Sequence, residues 1–296
     1  MRRCPLLLVL AALAAAAPAR ADEAEDKAKA LVAAQKKKAE ANWALLAAGE
    51  PVHLETDHFV IYAPKALEKT LKDAGALLES EYKTGREALN FPEKTEPWKG
   101  KLTVYLFGER PQFTAFVRRV EKRRLVSGET SSMMAADDVL HVAVSPPQNK
   151  WEWPAEAQAA EQVGAALLQR RAGVGTILPE WLVSGFGRAT YYRTLPKHEL
   201  TLADRRLAAD LVAKKKKTAR DIWTGPLEAD EAGALGGALA DFFAYGPGAP
   251  HFEKLLEGFK PEENVEKKTM EQALDKTKIN KEKVEPNWKS WVASPK

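Results

Sequence analysis

The pattern of apolar and polar positions divides the chain into a first half with strand patterns and a second half with helical ones. In FVIY (59–62) both alternating sets of side chains are apolar, and KLTVYLF (101–107) shows the same pattern. Such segments are typical of internal strands that are covered on both faces. DVLHVAVSPP (138–147) predicts a third strand, which its two prolines end. We therefore expect a small mixed sheet in the first half.

Helical spacing of apolar residues dominates the rest of the sequence. It runs through 65–90, resumes near Pro111, and from 151 onward is almost the only pattern. The sequence thus predicts an α+β fold, with a sheet region over 51–150 and a helical region over 151–296. The Ala-, Lys- and Glu-rich segment 22–50 predicts an exposed helical or poorly ordered leader.

The first 21 residues have the three parts of a secretory signal. Arg2 and Arg3 precede the apolar run PLLLVLAALAAAA, and Ala19-Arg20-Ala21 is a small-x-small cleavage site. The apolar run is too short to span a membrane with these flanks, and no later segment approaches the required length. We expect cleavage after Ala21, a secreted or periplasmic location, and no transmembrane segment in the mature chain.

Removal of this signal changes what cysteine content and charge imply. Cys4, the single cysteine, leaves with the signal, so we expect no disulfide in the mature chain. The 45 basic and 41 acidic side chains of the whole chain become nearly equal in number without the three arginines of the signal. A balance near neutrality gives no electrostatic reason to expect a nucleic-acid or anionic-membrane partner.

Two consecutive helices in the second half carry the most informative pattern. AAEQVGAALLQRR (159–171) places Ala160, Val163, Gly164, Leu167 and Leu168 on one buried helical stripe. Pro179 then opens a second helix in LPEWLVSGFG (178–187). The two segments predict a closely packed helix pair.

These segments resemble the peptidase MA-like gluzincins, secreted bacterial proteins with an HExxH motif followed by lPxWlxEGxA. AEQVG (160–164) aligns with the first motif and LPEWLVSGFG with the second. ETDHFVIYAP, KLTVYLF and EQALDKTKINKEKVEPNWKSWV are similar to the family's first two strands and its terminal helix, so most of 52–292 is covered. The resemblance implies a gluzincin (zincin)-like fold and a zinc peptidase site.

The residues at the implied ligand positions differ from the family pattern. Ala160 and Gly164 stand where the two histidines are expected, and Ser184 stands where the third ligand, a glutamate, is expected. Glu161 matches the general base. Catalytic zinc needs about three protein ligands, and a methyl group, a hydrogen and a hydroxyl do not replace them. We therefore expect no metal, no cofactor and a non-catalytic protein with these vestigial positions.

Other residues near the two helices have structural or binding interpretations. Glu161 is either a relic base or a carboxylate that is solvated or paired with a base such as Arg188. The five histidines have no i, i+4 or i, i+2 spacing that predicts a metal pair. Side chains expected as candidate lining of the cleft are Trp181, Tyr191, Tyr192 and His141.

Three functional hypotheses follow, and the leading one is a non-catalytic pseudo-metallopeptidase. The first is a binding module that accepts an extended peptide or envelope component by strand addition, between the strand near 139–144 and the helix 156–171. The second is a metal-independent hydrolase that uses carboxylates such as Glu161 and Glu180. The third is a structural protein of the cell envelope. A serine hydrolase is disfavoured, because LVSGF lacks the first glycine of a nucleophile elbow and follows no strand.

Overall fold

The computed structural model describes residues 17–46, 48–135, 140–149, 152–263, 265 and 267–294. Five strands form one mixed sheet in the order β1-β2-β3-β5-β4. β2, β3 and β5 are parallel neighbours, while β1 and β4 pair antiparallel at the two edges. The strands are β1 Pro51–Glu55, β2 Phe59–Pro64, β3 Leu102–Leu106, β4 Ser131–Met134 and β5 His141–Val144.

The apolar pattern on both faces of the internal strands has a clear cause in the packing. Val104 and Val142 belong to the main apolar core, which continues into the second half of the chain. Tyr105 and Ala143 face the other way, into a smaller core with Phe113. Because every internal position is covered, these strands lack polar alternation. The mixed α+β architecture expected from the sequence is confirmed.

Strand boundaries were predicted less well than strand existence. The third predicted strand is shorter than 138–147, since β5 covers His141–Val144 and residues 138 and 139 lie outside the described part. β4 was missed entirely, because its sequence SSMM lies in a polar stretch without apolar alternation. Its strand conformation comes from antiparallel pairing with β5, and its own composition does not predict it.

Helices pack on both faces of the sheet. α2 Leu71–Ala88, which follows a 3-10 turn at Lys65–Thr70, packs against β2 and α4, while α3 Arg110–Arg119 covers the opposite face. The later helices are α4 Ala155–Ala172, α5 Glu180–Thr194, α6 Glu199–Ala213, α7 Ala219–Thr224, α8 Ala229–Ala244, α9 Phe252–Gly258 after a 3-10 turn at Ala249–His251, α10 Met270–Thr277 and α11 Lys281–Ala293. α5 lies at the centre, between α4 and α8.

The N-terminal leader is a helix that takes part in the core. α1, Ala17–Ala44, ends with Ala39 and Trp43 buried, and the indole of Trp43 stacks on Phe107 at 5.6 Å between ring centroids. The prediction of an exposed leader is therefore wrong for this end, since Trp43 was not recognised as a core residue. Residues 1–16 of the predicted signal lie outside the described part. No helix among the described residues is long and apolar enough to cross a membrane.

Candidate functional site

Helices α4 and α5 cross with their backbones in contact. A Cβ atom added to Gly187 would lie 1.9 Å from the carbonyl oxygen of Glu161, and one added to Gly164 would lie 2.6 Å from the Cα of Gly187. Ala160, one turn earlier, is fully buried. Small residues on this face of α4 are therefore required by the helix crossing.

A cleft opens on another face of α4, between this helix and the edge strand β4. Its volume is about 690 Å³, within the range of about 300–1,000 Å³ that is typical of ligand sites. The loop that joins α3 to β4 forms one wall, and the start of α5 forms another. The lining residues are Arg123, 126–134, Glu161, Gln162, Ala165, Glu180, Val183 and Ser184.

The free edge of β4 borders this cleft. The amide of Ser145 donates to the carbonyl of Thr130 at 2.8 Å, so the pair next along the antiparallel ladder, Ser131 opposite Val144, is not hydrogen-bonded. By the same alternation, the N–H and C=O groups of Ser131 and Met133 point away from β5. No other described strand pairs with this edge of β4.

The residues of α4 that line the cleft are shifted by one position along the sequence from those that the HExxH alignment predicted. Glu161, Gln162 and Ala165 line the cleft, whereas Ala160 and Gly164 do not. Successive helical positions differ by about 100°, so a shift of one residue exchanges the cleft face for the core face. Gln162 binds the wall of the cleft directly, because its Nε2 donates to the Oγ of Ser131 at 3.0 Å.

Glu161 is held by charge at the base of the cleft. Its carboxylate accepts a hydrogen bond from Nε of Arg188 at 3.2 Å, and Nη1 of Arg188 donates to Asp204 at 3.1 Å. The guanidinium lies 4.3 Å from the ring centroid of Trp153, and Tyr192 donates to Asp204. Burial raises the pKa of Glu161, and the neighbouring guanidinium of Arg188 opposes that shift. Of the two interpretations of Glu161, pairing with Arg188 is the one observed.

A second carboxyl group lies behind the helix crossing. Glu81 of α2 is fully buried, and one of its oxygens accepts a hydrogen bond from Thr194 at 3.0 Å. The other oxygen has no hydrogen-bond partner among the described residues, and a Cβ at Gly164 would lie 3.3 Å from it. Burial raises the pKa of Glu81 well above its usual value, so burial favours its neutral form.

The four aromatic candidates do not line the cleft. Trp181 packs on Trp223, with ring centroids 6.4 Å apart, and Tyr191 lies in the core beside Trp153. Tyr192 is buried, with its hydroxyl on Asp204. These expectations fail because consecutive residues of α5 point in different directions, and only Glu180, Val183 and Ser184 of that helix reach the cleft.

His141 lies on the opposite face of the sheet from α4. Its Nε2 is 3.0 Å from Glu121, and its ring meets Phe116 edge-on at 5.1 Å. Its strand, β5, is paired with β3 on one side and β4 on the other. The strand near 139–144 is therefore not free to accept a peptide, and β4 is the strand at the cleft.

The residues at the implied metal positions do not fit a zinc ion. Ala160 and Gly164 carry no donor atom, and the hydroxyl of Ser184 donates to the carbonyl of Glu180 at 2.9 Å. Within the ranges that the structure describes, no group of three His, Cys, Asp or Glu side chains is arranged to hold a metal ion. The side chains at this cleft offer hydrogen bonds and two ion pairs, Glu161 with Arg188 and Glu129 with Arg123.

The sequence did not reveal the polar groups at the junction of β4 and α4. Ser131, Met133 and Gln162 belong to no recognisable sequence motif, and their role depends on the pairing of β4 and the rotation of α4.

No protein-family model matches this sequence, and no curated protein matches it.

Proposed function

We propose that this protein binds an extended peptide along the edge of β4, in the cleft between β4 and α4, and releases it uncleaved. The observation that carries the proposal is the outward direction of the backbone groups of Ser131 and Met133 at the border of a 690 Å³ cleft. A peptide that adds to a sheet edge gains main-chain hydrogen bonds at such positions. Its alternate side chains would then face α4.

The polar groups on α4 suit binding better than hydrolysis. Gln162 offers a carboxamide to a bound chain, and a carboxamide cannot act as a general base at neutral pH. The carboxylate of Glu161 is held by Arg188. Hydrolysis by the carboxylates alone would require Glu161 and Glu180 to act together, but Glu180 is exposed at the start of α5, whereas Glu161 is buried against Arg188.

The cleft also suggests how the chain relates to the gluzincins that it resembles. In that family two histidines at i and i+4 and a glutamate beside the first one face the cleft. Here the cleft-facing residues with that spacing are Glu161, Gln162 and Ala165. We propose that EQVGA (161–165) is the counterpart of HExxH, one residue later than the sequence alignment suggested. In this register the base position holds glutamine.

Binding can be tested with fluorescently labelled β-casein, an unstructured protein, as the probe. We expect saturable binding by fluorescence anisotropy and no casein fragments on a gel. The decisive variant is Met133→Pro, which removes an N–H that points to the cleft and leaves the ladder to β5 intact. Its matched control is Met133→Ala, which loses the same side chain but keeps the N–H.

We expect Met133→Pro to weaken casein binding at least about tenfold relative to Met133→Ala, consistent with the loss of a hydrogen bond from a buried strand interface. Equal affinities of the two variants, or no saturable binding by the unaltered protein, would refute strand addition at β4. Cleavage of casein that persists when the protein is highly purified would instead support the hydrolase hypothesis.

We also propose that the protein is exported, with its signal cleaved after Ala21. N-terminal sequencing of protein recovered from an expression host tests this proposal. A mature chain beginning at Asp22 is expected, and a chain that still begins at Met1 would contradict it.

A further inference from the structure

The loop that joins α3 to β4 carries a second concavity, which adjoins the peptide cleft and shares Arg123 with it. Its volume is about 550 Å³. Four of its five lining residues are cationic at neutral pH, and we call it the cationic pocket. The five are Arg118, Lys122, Arg123, Arg124 and Leu125.

One of the four cations forms ion pairs and three do not. Arg123 forms ion pairs with Glu121 and Glu129. Arg118, Lys122 and Arg124 form no ion pair with any residue that the structure describes, and the side chains of all three are exposed. Both acids of the loop are therefore engaged with Arg123, and the four cations of the pocket together with these two acids carry a net charge of +2.

The backbone of the loop brings these charges together. Lys122 has a φ of 56°, a left-handed conformation that is unfavourable for a residue other than glycine. The chain turns there, so that side chains from the end of α3 and from the following loop border the same pocket. A cation in the last turn of a helix complements the helix dipole, which accounts for Arg118. It does not account for Lys122 or Arg124, which lie beyond the helix.

The charge and shape of the pocket indicate its ligand. Converging like charges repel one another, and a compact anion with two or more charges relieves that repulsion. Guanidinium groups match the oxygen atoms of phosphate in paired hydrogen bonds, and an ammonium group adds a point charge. We propose that the cationic pocket binds a polyvalent phosphate group, either on a lipid headgroup or in a free anion.

The test uses sodium pyrophosphate as the probe in isothermal titration calorimetry at low ionic strength. We expect one saturable site on the unaltered protein. The triple variant R118Q/K122Q/R124Q should bind at least about tenfold more weakly. The matched control K69Q/K197Q/K216Q removes the same net charge from exposed and scattered lysines, and it should stay within about twofold of the parent. Circular dichroism verifies that both variants fold.

Vesicles distinguish the two sources of phosphate. Flotation with phosphatidylglycerol vesicles, competed by pyrophosphate and absent with phosphatidylcholine, identifies a lipid headgroup. Pyrophosphate binding without vesicle binding identifies a free anion. The proposal is overturned if neither probe binds, or if the control variant loses as much affinity as the pocket variant. Because Arg118, Lys122 and Arg124 do not line the peptide cleft, the pocket variant should bind casein unchanged, which separates this proposal from the proposed function.

Discussion

Two faces of the same helix, α4, obey different constraints. On the core face, Gly164 and Gly187 meet with no space for a Cβ atom, and Ala160 is fully buried. On the cleft face, Glu161 and Gln162 present polar groups beside an unpaired strand edge. Packing at the crossing explains the small residues Ala160 and Gly164, whereas the side chains of Glu161 and Gln162 lie outside it, and Glu161 takes part in the crossing through its backbone alone. Only the cleft face therefore bears on binding.

The largest effect is expected at the helix crossing. Gly187→Ala places a Cβ atom against the carbonyl oxygen of Glu161, and α5 cannot move away without leaving α4 or α8. We expect the free energy of unfolding in urea to fall by at least about 3 kcal/mol, despite the better helix propensity of alanine. The control is Gly236→Ala, where the nearest atom is 3.3 Å from the new Cβ. A change of about 1 kcal/mol or less is expected there, and equal effects of the two substitutions would contradict a backbone contact.

A designed zinc site distinguishes the two alignments of α4 with the HExxH motif, which begin at Ala160 and at Glu161. Glu161→His, Ala165→His and Ser184→Glu together place three ligands on the cleft, and zinc at 100 times its dissociation constant should then stabilise the variant by about 2.7 kcal/mol. Thermal unfolding of the same variant with and without zinc gives this difference directly. The companion variant Ala160→His, Gly164→His and Ser184→Glu should not fold well, since a side chain at 164 meets the Cα of Gly187. If the companion folds and binds zinc more tightly, the shifted register is wrong.

The ambiguity between registers shows the limit of prediction from this sequence. Ala160 and Gly164, like Glu161 and Ala165, are spaced i, i+4, so periodicity alone cannot select the pair that faces the cleft. The internal strands β2 and β3 were predictable because packing on both sides makes them apolar throughout. β4 was not, because its sequence SSMM gains its strand conformation from β5. The pairing of Glu161 with Arg188 was foreseeable, whereas its burial followed only from the fold.

A smaller effect is expected at the ion pair below the cleft. Glu161→Gln leaves the guanidinium of Arg188 with Asp204 as its remaining carboxylate. We expect the free energy of unfolding in urea to fall by about 2 kcal/mol. A buried charge that loses its only partner costs about 3–5 kcal/mol, and the smaller loss is expected here because Asp204 still pairs with Arg188. Glu180→Gln, at an exposed site at the start of α5, is the control and should change stability by less than about 0.5 kcal/mol. If neither variant changes the free energy of unfolding, the side chain of Glu161 is solvated and not paired with Arg188.

The smallest expected effect is on the pH dependence of stability, through the buried carboxyl group of Glu81 behind the helix crossing. The pKa of Glu81 is raised in the folded protein above its ordinary value of 4.5, so the folded state binds more protons than the unfolded state above that pH. Stability contributed by this group is full at low pH and declines as pH rises from 4.5 toward the folded pKa. Glu81→Gln, which does not titrate, should flatten the decline of unfolding free energy between pH 5 and pH 8. Glu263→Gln, at an exposed site, should leave the pH profile unchanged, and identical profiles for all three proteins would contradict a buried carboxyl at 81.

Hydrogen exchange of β4 tests the proposed peptide site most directly. The amides of Ser131 and Met133 point to the open edge, whereas the amide of Ser132 lies on the β5 side of the ladder. With exchange measured by NMR, saturating β-casein should slow the amides of Ser131 and Met133 strongly and that of Ser132 little, because only the outward groups gain a partner. Unchanged exchange at Ser131 and Met133, in a sample that demonstrably binds casein, would show that the peptide lies elsewhere and would contradict strand addition at β4.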